Sequence, residues 1–176
     1  MSTAVLTVPS AFHFRLTKHL VRRRPVSEEA AFIFSSTLKN GICKFDFIDM
    51  YIVPESEFSY RSLYGIELTS DCRAKVIKRA HDLNASLIEL HSHPHARTSE
   101  FSPSDRSGFA EFVPHVWWRL KGRPYAAMVF GANDFDSLYW ESNSHKPDGV
   151  LKLQLEDKEL TPTELSFRHW DSNYEF

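Results

Sequence analysis

Cysteine is scarce in this sequence of 176 residues: Cys43 and Cys72 stand far apart and neither belongs to a C-x-x-C pair. That argues against a disulfide framework and against a thiolate zinc site, and it suits a reducing compartment, so a cytoplasmic location is expected. A surplus of either charge is also lacking. With 21 Lys and Arg against 23 Asp and Glu the formal net charge is −2, so no global field recruits nucleic acid or an anionic membrane. Long apolar runs are missing too. No segment approaches the roughly 18 apolar residues that span a bilayer, and "MSTAVLTVPSAFHF" has no basic start followed by a long apolar core. Neither a nucleic-acid nor a membrane partner is expected. Repeats, low-complexity tracts and linkers are absent as well. What remains is 42% hydrophobic residues with 14 Phe and 4 Trp, enough to bury one core, so residues 1–176 are expected to form a single domain.

The pattern along the chain alternates strands and helices. "TAVLTV" is a short β-branched strand, and "PSAFHFRLTKHLVRRR" carries Phe12, Leu16 and Leu20 at helical spacing, with Ser10 as a candidate N-cap and Pro25 as its stop. The apolar run from Ala30 to Phe34 predicts a strand buried on both faces, and Asn40-Gly41 a turn. "ICKFDFIDMYIV" follows as a strand with Phe45, Phe47 and Tyr51 on one side and Asp46, Ile48 and Met50 on the other. "SLYGIEL" predicts a further strand, and "TSDCRAKVIKRAHDLN" a helix capped by Thr69 or Ser70 and stopped at Asn84. "ASLIELH" is a buried strand, "SPSDRSGFAEFV" opens a helix at Ser102, and "YAAMVFG" and "FDSLYWES" are strands. The tail beyond Lys146 predicts an edge strand. Adjacent Trp117 and Trp118 place at least one indole in the core.

One stretch carries chemistry: "LIELHSHPHARTSEFSPSDRSGF", residues 87–109. Residues i and i+2 of a strand face the same side, so His91 and His93 can present two imidazoles to one ion while Ser92 turns away. Pro94 breaks the strand, and Asp105 in the first turn of the following helix can supply a third ligand. Three protein ligands and one open position describe a catalytic rather than a structural zinc. An isolated H-x-H pair is weak on its own, and Asp105 could simply be a helix-capping acid.

The joint arrangement, a strand ending in "HSHP" and a helix opening with "SPSD", resembles the JAMM (MPN-plus, JAB) zinc metalloprotease family, whose pattern is H-x-H, a loop, S-x-x-D and an earlier Glu. Here the loop "PHARTSEF" is one residue longer than the family's usual spacing. An insertion in a loop costs little, and it leaves His93 and His95 as a second i, i+2 pair that "HSHP" disfavours. The resemblance implies an α/β JAB1/MPN (cytidine-deaminase-like) fold, a curved mixed β-sheet flanked by helices. It implies one Zn2+ held by His91, His93 and Asp105. It implies a general base in "PVSEEAAFIF", either Glu28 or Glu29, and Glu28 is preferred because it places Ala31 where the family has a small residue three positions on. Both acids could otherwise be solvated residues at the start of a strand. Ser102 either caps its helix or, like the matching family serine, donates its hydroxyl to the oxyanion.

The activity implied is cleavage after the C-terminus of a ubiquitin-like protein, as deconjugation or precursor processing. The partners implied are that protein or its conjugates, together with the activating and conjugating enzymes of a bacterial ubiquitin-like or antiphage defence system. Two alternatives belong to other classes: a non-catalytic MPN scaffold, and a RadC-like DNA-associated protein for which "VRRRP", residues 21–25, would be the basic patch.

Overall fold

Asn40-Gly41 turns the chain at the tip of a long hairpin, with Gly41 at φ +85°, a conformation glycine adopts without a Cβ penalty. In the computed structural model, which describes residues 1–172, that hairpin joins β2 (Ala30–Asn40) to β3 (Ile42–Ile52). Ahead of it come β1 (Ser2–Thr7) and α1 (Ser10–Leu20). After it come β4 (Phe58–Ser62), β5 (Gly65–Leu68), α2 (Ser70–Asp82) and β6 (Ser86–Ser92). The chain finishes with α3 (Pro103–Arg119), β7 (Tyr125–Phe130), β8 (Phe135–Trp140), β9 (Gly149–Gln154), β10 (Glu159–Leu160) and α4 (Leu165–Arg168).

The expectation of a curved sheet flanked by helices in the JAB1/MPN fold is corrected by the way β1 pairs. The strands run β1-β3-β2-β6-β7-β8-β9, and β1 pairs in parallel with both β3 and β9, so the sheet closes into a mixed barrel of seven strands. The physical reason is that an open sheet leaves two rows of unpaired backbone groups, and the right-handed twist of the strands lets one added strand satisfy both. The tail strand expected at an edge is therefore the closing strand, β9, bonded to β1 from Ser2↔Gly149 to Thr7↔Gln154. The seam needs glycine: a Cβ built on Gly149 would fall 1.9 Å from the Ser2 carbonyl oxygen.

The barrel interior draws on all seven strands, with Leu6, Ile33, Phe45, Ile88, Met128, Tyr139 and Leu151 among its side chains, and α1 adds Leu16 and Leu20. A second apolar layer lies outside, where α2 and α3 cover one flank of the sheet through Val76, Phe109, Val113 and Val116. Strands under that layer are buried on both faces, which is why "YAAMVF" and "FDSLYW" are buried throughout.

Three local readings change. The alternation expected in β3 is interrupted between Asp49 and Phe47, the partners of Phe34 and Ser35, so Ile48 is the extra residue of a bulge. Phe45, Phe47 and Met50 consequently join the interior while Tyr51 packs on the outer layer. Ser10 is not the cap of α1; Pro9 stands there, and the Glu156 carboxylate accepts from the Ser10 backbone N–H and hydroxyl, a cap from a distant loop. Neither tryptophan of the pair is fully buried: Trp117 is half-buried and Trp118 exposed. Thr69 caps α2 as expected, accepting from the Cys72 N–H, and Asn84 stops it with φ 54°. No helix among the described residues is long and apolar enough to cross a membrane.

Candidate metal centre

β6 ends at Ser92, so His91 stands on the strand while His93, expected on it as well, lies one residue beyond, its N–H donating to the Phe130 carbonyl (2.9 Å), and both face the N-terminus of α3. His91 Nε2 and His93 Nε2 are 3.2 Å apart, and Asp105 Oδ2 lies 3.4 Å from the first and 3.3 Å from the second. Three ligand atoms about 2.0–2.1 Å from a tetrahedral ion would be separated by about 3.3–3.4 Å, so the cluster has the spacing of three corners of such a site. Among the described residues, His91, His93 and Asp105 form a group that could hold a metal ion.

Asp105 is a capping acid and a candidate ligand at once. Ser102 accepts from the Asp105 N–H (3.1 Å), while Asp105 Oδ2 accepts from the Ser102 N–H (2.7 Å) and hydroxyl (2.8 Å). The oxygen fixed by this capping box is the one that faces both imidazoles, so the start of the helix also orients the third ligand. The longer loop before it is pinned: the Ser99 N–H donates to Asp134 Oδ1 (2.9 Å) and the Thr163 hydroxyl to the Ser99 carbonyl (2.8 Å). His95 is exposed on the cavity rim, its ring 5.9 Å from that of Tyr64, and is not part of the ligand group.

The two candidate bases part company here. Glu28 does not stand on β2 but two residues before it; its N–H donates to the Ser62 carbonyl (2.7 Å), and its carboxylate lies 3.9 Å from His93 Nε2. Glu29 turns the other way, to Arg61 (2.9 Å), Arg22 (3.3 Å) and His19 (3.6 Å). One arginine of "VRRRP" is thus committed to an ion pair. Ser92, the middle residue of "HSH", is a positioning residue that sequence reasoning passed over. Its hydroxyl accepts from the Glu29 N–H (3.0 Å) and its N–H donates to the Glu29 carbonyl (3.1 Å), tying the acid pair to the histidine strand. Its predicted turn away from the imidazoles was the available signal.

Electrostatics follow from burial. Glu28 is pushed up, chiefly by burial and in part by Asp105, against the opposing pull of His91 and His93. Burial would lower His91, but the Asp105 carboxylate and its hydrogen bond outweigh it and lift the imidazole to about 9. Asp105, which burial would raise, is held well below the usual carboxylate range by the two histidines. A proton on His91 and a divalent cation are alternative ways to set positive charge beside the Asp105 carboxylate.

A cavity of about 360 Å³ opens over this cluster, lined by Glu28, His93, Ser102 and Asp105 on one side and Tyr64 and Gly65 of the β4–β5 hairpin on the other. No protein-family model matches the chain, and no curated protein matches it.

Proposed function

We propose that this protein is a zinc-dependent peptidase or isopeptidase that cleaves after the C-terminal tail of a ubiquitin-like protein. The observation that carries the reading is the convergence of His91, His93 and Asp105 at 3.2–3.4 Å with the raised Glu28 carboxylate 3.9 Å from His93. Zinc is the metal of the JAMM family that "HSHP" and "SPSD" resemble, and two histidines and a carboxylate with an open fourth position are a donor set that suits it. When bound, zinc supplies a Lewis acid and lowers the pKa of a water molecule to about 7.

The chain's own groups supply the rest. His91, His93 and Asp105 hold the ion. The Glu28 carboxylate takes a proton from the attacking water and delivers it to the nitrogen of the leaving amine; its raised affinity for a proton suits both tasks. The Ser102 hydroxyl, on the cavity wall, gives its one proton to Asp105 Oδ2 (2.8 Å) and on turning from it donates that proton to the oxyanion of the tetrahedral intermediate. The β4–β5 hairpin is only two strands wide, and Gly65 and Ile66 border the cavity, so its edge can pair with an extended tail. The similarity of "HSHP" and "SPSD" to the JAMM motif supports the substrate class and a place beside activating and conjugating enzymes in a bacterial ubiquitin-like or defence system.

The test is cleavage of ubiquitin-like proteins carrying either a C-terminal peptide extension or an isopeptide-linked lysine, followed by mass spectrometry. Zinc-dependent release of the free tail, lost in Glu28→Gln, is expected. A metal-loaded protein that cleaves neither substrate type overturns the reading and favours a scaffold role.

A further inference from the structure

A second groove lies away from the histidines and is larger than the cavity over them. It runs between α2 and α3 with a volume of about 780 Å³. Its floor is apolar, made by Ala74 and Ile77 from α2 and by Phe112 from α3, and Trp118 of α3, 73% exposed, stands over it. Its rim is cationic. Arg73 and Lys78 stand on the α2 side, Arg119 and Lys121 on the α3 side, and no carboxylate lines it. In a chain of net charge −2 this concentration of one sign is local, not a consequence of composition.

Two of the cations are already organised on aromatic faces: the Arg73 guanidinium lies 4.7 Å from the Phe112 ring centre and that of Arg119 5.5 Å from the Trp118 ring. Lys78 pairs with Asp82 one turn on, at the outer edge. Spacing on α2 at residues 70, 73, 74, 77, 78 and 81 gives a continuous stripe, the shape that a second helix fills. An exposed tryptophan above an apolar floor, ringed by charge, has the anatomy of an interface centre with its polar rim.

We propose that the α2–α3 groove is a docking site for an acidic amphipathic helix of a partner protein, whose apolar stripe covers Ile77, Phe112 and Trp118 while its carboxylates face Arg73, Arg119 and Lys121. Charge complementarity selects the sign of the partner. The apolar floor favours a protein helix over a nucleic acid, which would present phosphates to hydrophobic surface and meet a chain of net negative charge. The inference does not depend on the peptidase reading, because Glu28 and the metal-ligand group lie outside the groove.

The experiment uses the full chain and a fluorescently labelled 18-residue helical peptide with leucines at i, i+3, i+4 and i+7 and glutamates elsewhere, read by anisotropy. Controls are the same peptide with lysines for glutamates and a thymidine oligonucleotide. Saturable binding of the acidic peptide is expected, weakened tenfold or more by Trp118→Ala and by the Arg119→Glu, Lys121→Glu pair, and weakened by salt. Both substitutions lie on the surface, and circular dichroism melts identify any variant that fails to fold. Absence of binding, binding indifferent to both changes, or tighter binding of the oligonucleotide overturns the proposal. Metal content measured alongside keeps this outcome separate from the fate of the metal site.

Discussion

Glu28 and Glu29 are consecutive, both buried, and belong to two different kinds of charge cluster. On the Glu29 side the acid meets Arg61 and Arg22 with His19 beside it, so fixed cations from α1's end and from β4 already balance it. On the Glu28 side a second carboxylate, Asp105, converges on two imidazoles that carry no obligatory charge. The first cluster is charge-balanced by its own residues, though Glu29 Oε1 makes no hydrogen bond, and it clamps segments together. The second lacks a fixed cation and is completed by a proton or a metal ion. The first acid is matched by arginines, the second only by histidines at ligand spacing.

The sharpest break in that comparison comes from the ligands. His91→Ala should abolish stoichiometric metal binding, read by mass spectrometry of the purified protein, whereas Arg61→Ala should leave one ion per chain bound. Next in size is the exchange of the two acids. Glu28→Gln should keep the ion and lower turnover by about 10²–10⁴-fold. Glu29→Gln should leave turnover per folded molecule intact and cost about 1–3 kcal/mol in urea unfolding, since Arg61 loses its buried carboxylate partner and keeps only the exposed Glu55. Equal effects of the two substitutions on turnover would erase the distinction.

The protonation of His91 sharpens the contrast further. Its folded value, lifted to about 9 from an unfolded value near 6.5, means that its ion pair with Asp105 contributes fully to the metal-free protein below about 6.5 and is lost as pH rises through 9. Metal must displace that proton, so apparent affinity should fall by about tenfold per unit as pH drops below 9, and the gap in Tm between loaded and metal-free protein should widen from pH 6.5 to 9. A gap independent of pH would place the proton elsewhere. Ser102→Ala is expected to cost the least stability, about 1 kcal/mol as a lost helix cap, and to lower turnover with metal retained because the oxyanion loses its donor. Unchanged turnover would leave Ser102 the role of the cap alone.

Much of the centre was legible because its logic is local. The i, i+2 spacing that brings together His91, near the end of β6, and His93, just past that end, and the S-x-x-D spacing of the capping box in α3, are short-range geometry written directly in the residue order. The choice between Glu28 and Glu29 could be stated from the sequence but was separated only by contacts to Ser62, Ser92 and Arg61, brought in from segments more than 30 residues away. The β3 alternation failed for a related reason, since a bulge is a property of a strand pair and not of one strand.

What the sequence alone determined, then, is the order of most strands and helices, the three candidate ligands and the cap that orients one of them. The closed barrel and the α2–α3 groove were decided by tertiary structure. Closure depends on β1 meeting β9 across nearly the whole chain, at a seam where Gly149 lets the two backbones approach, and the groove depends on two helices lying side by side on the outer layer. Periodicity reports which face of an element is apolar; it carries no record of which distant element will cover that face, because burial rewards any well-fitting partner and only the assembled chain selects one.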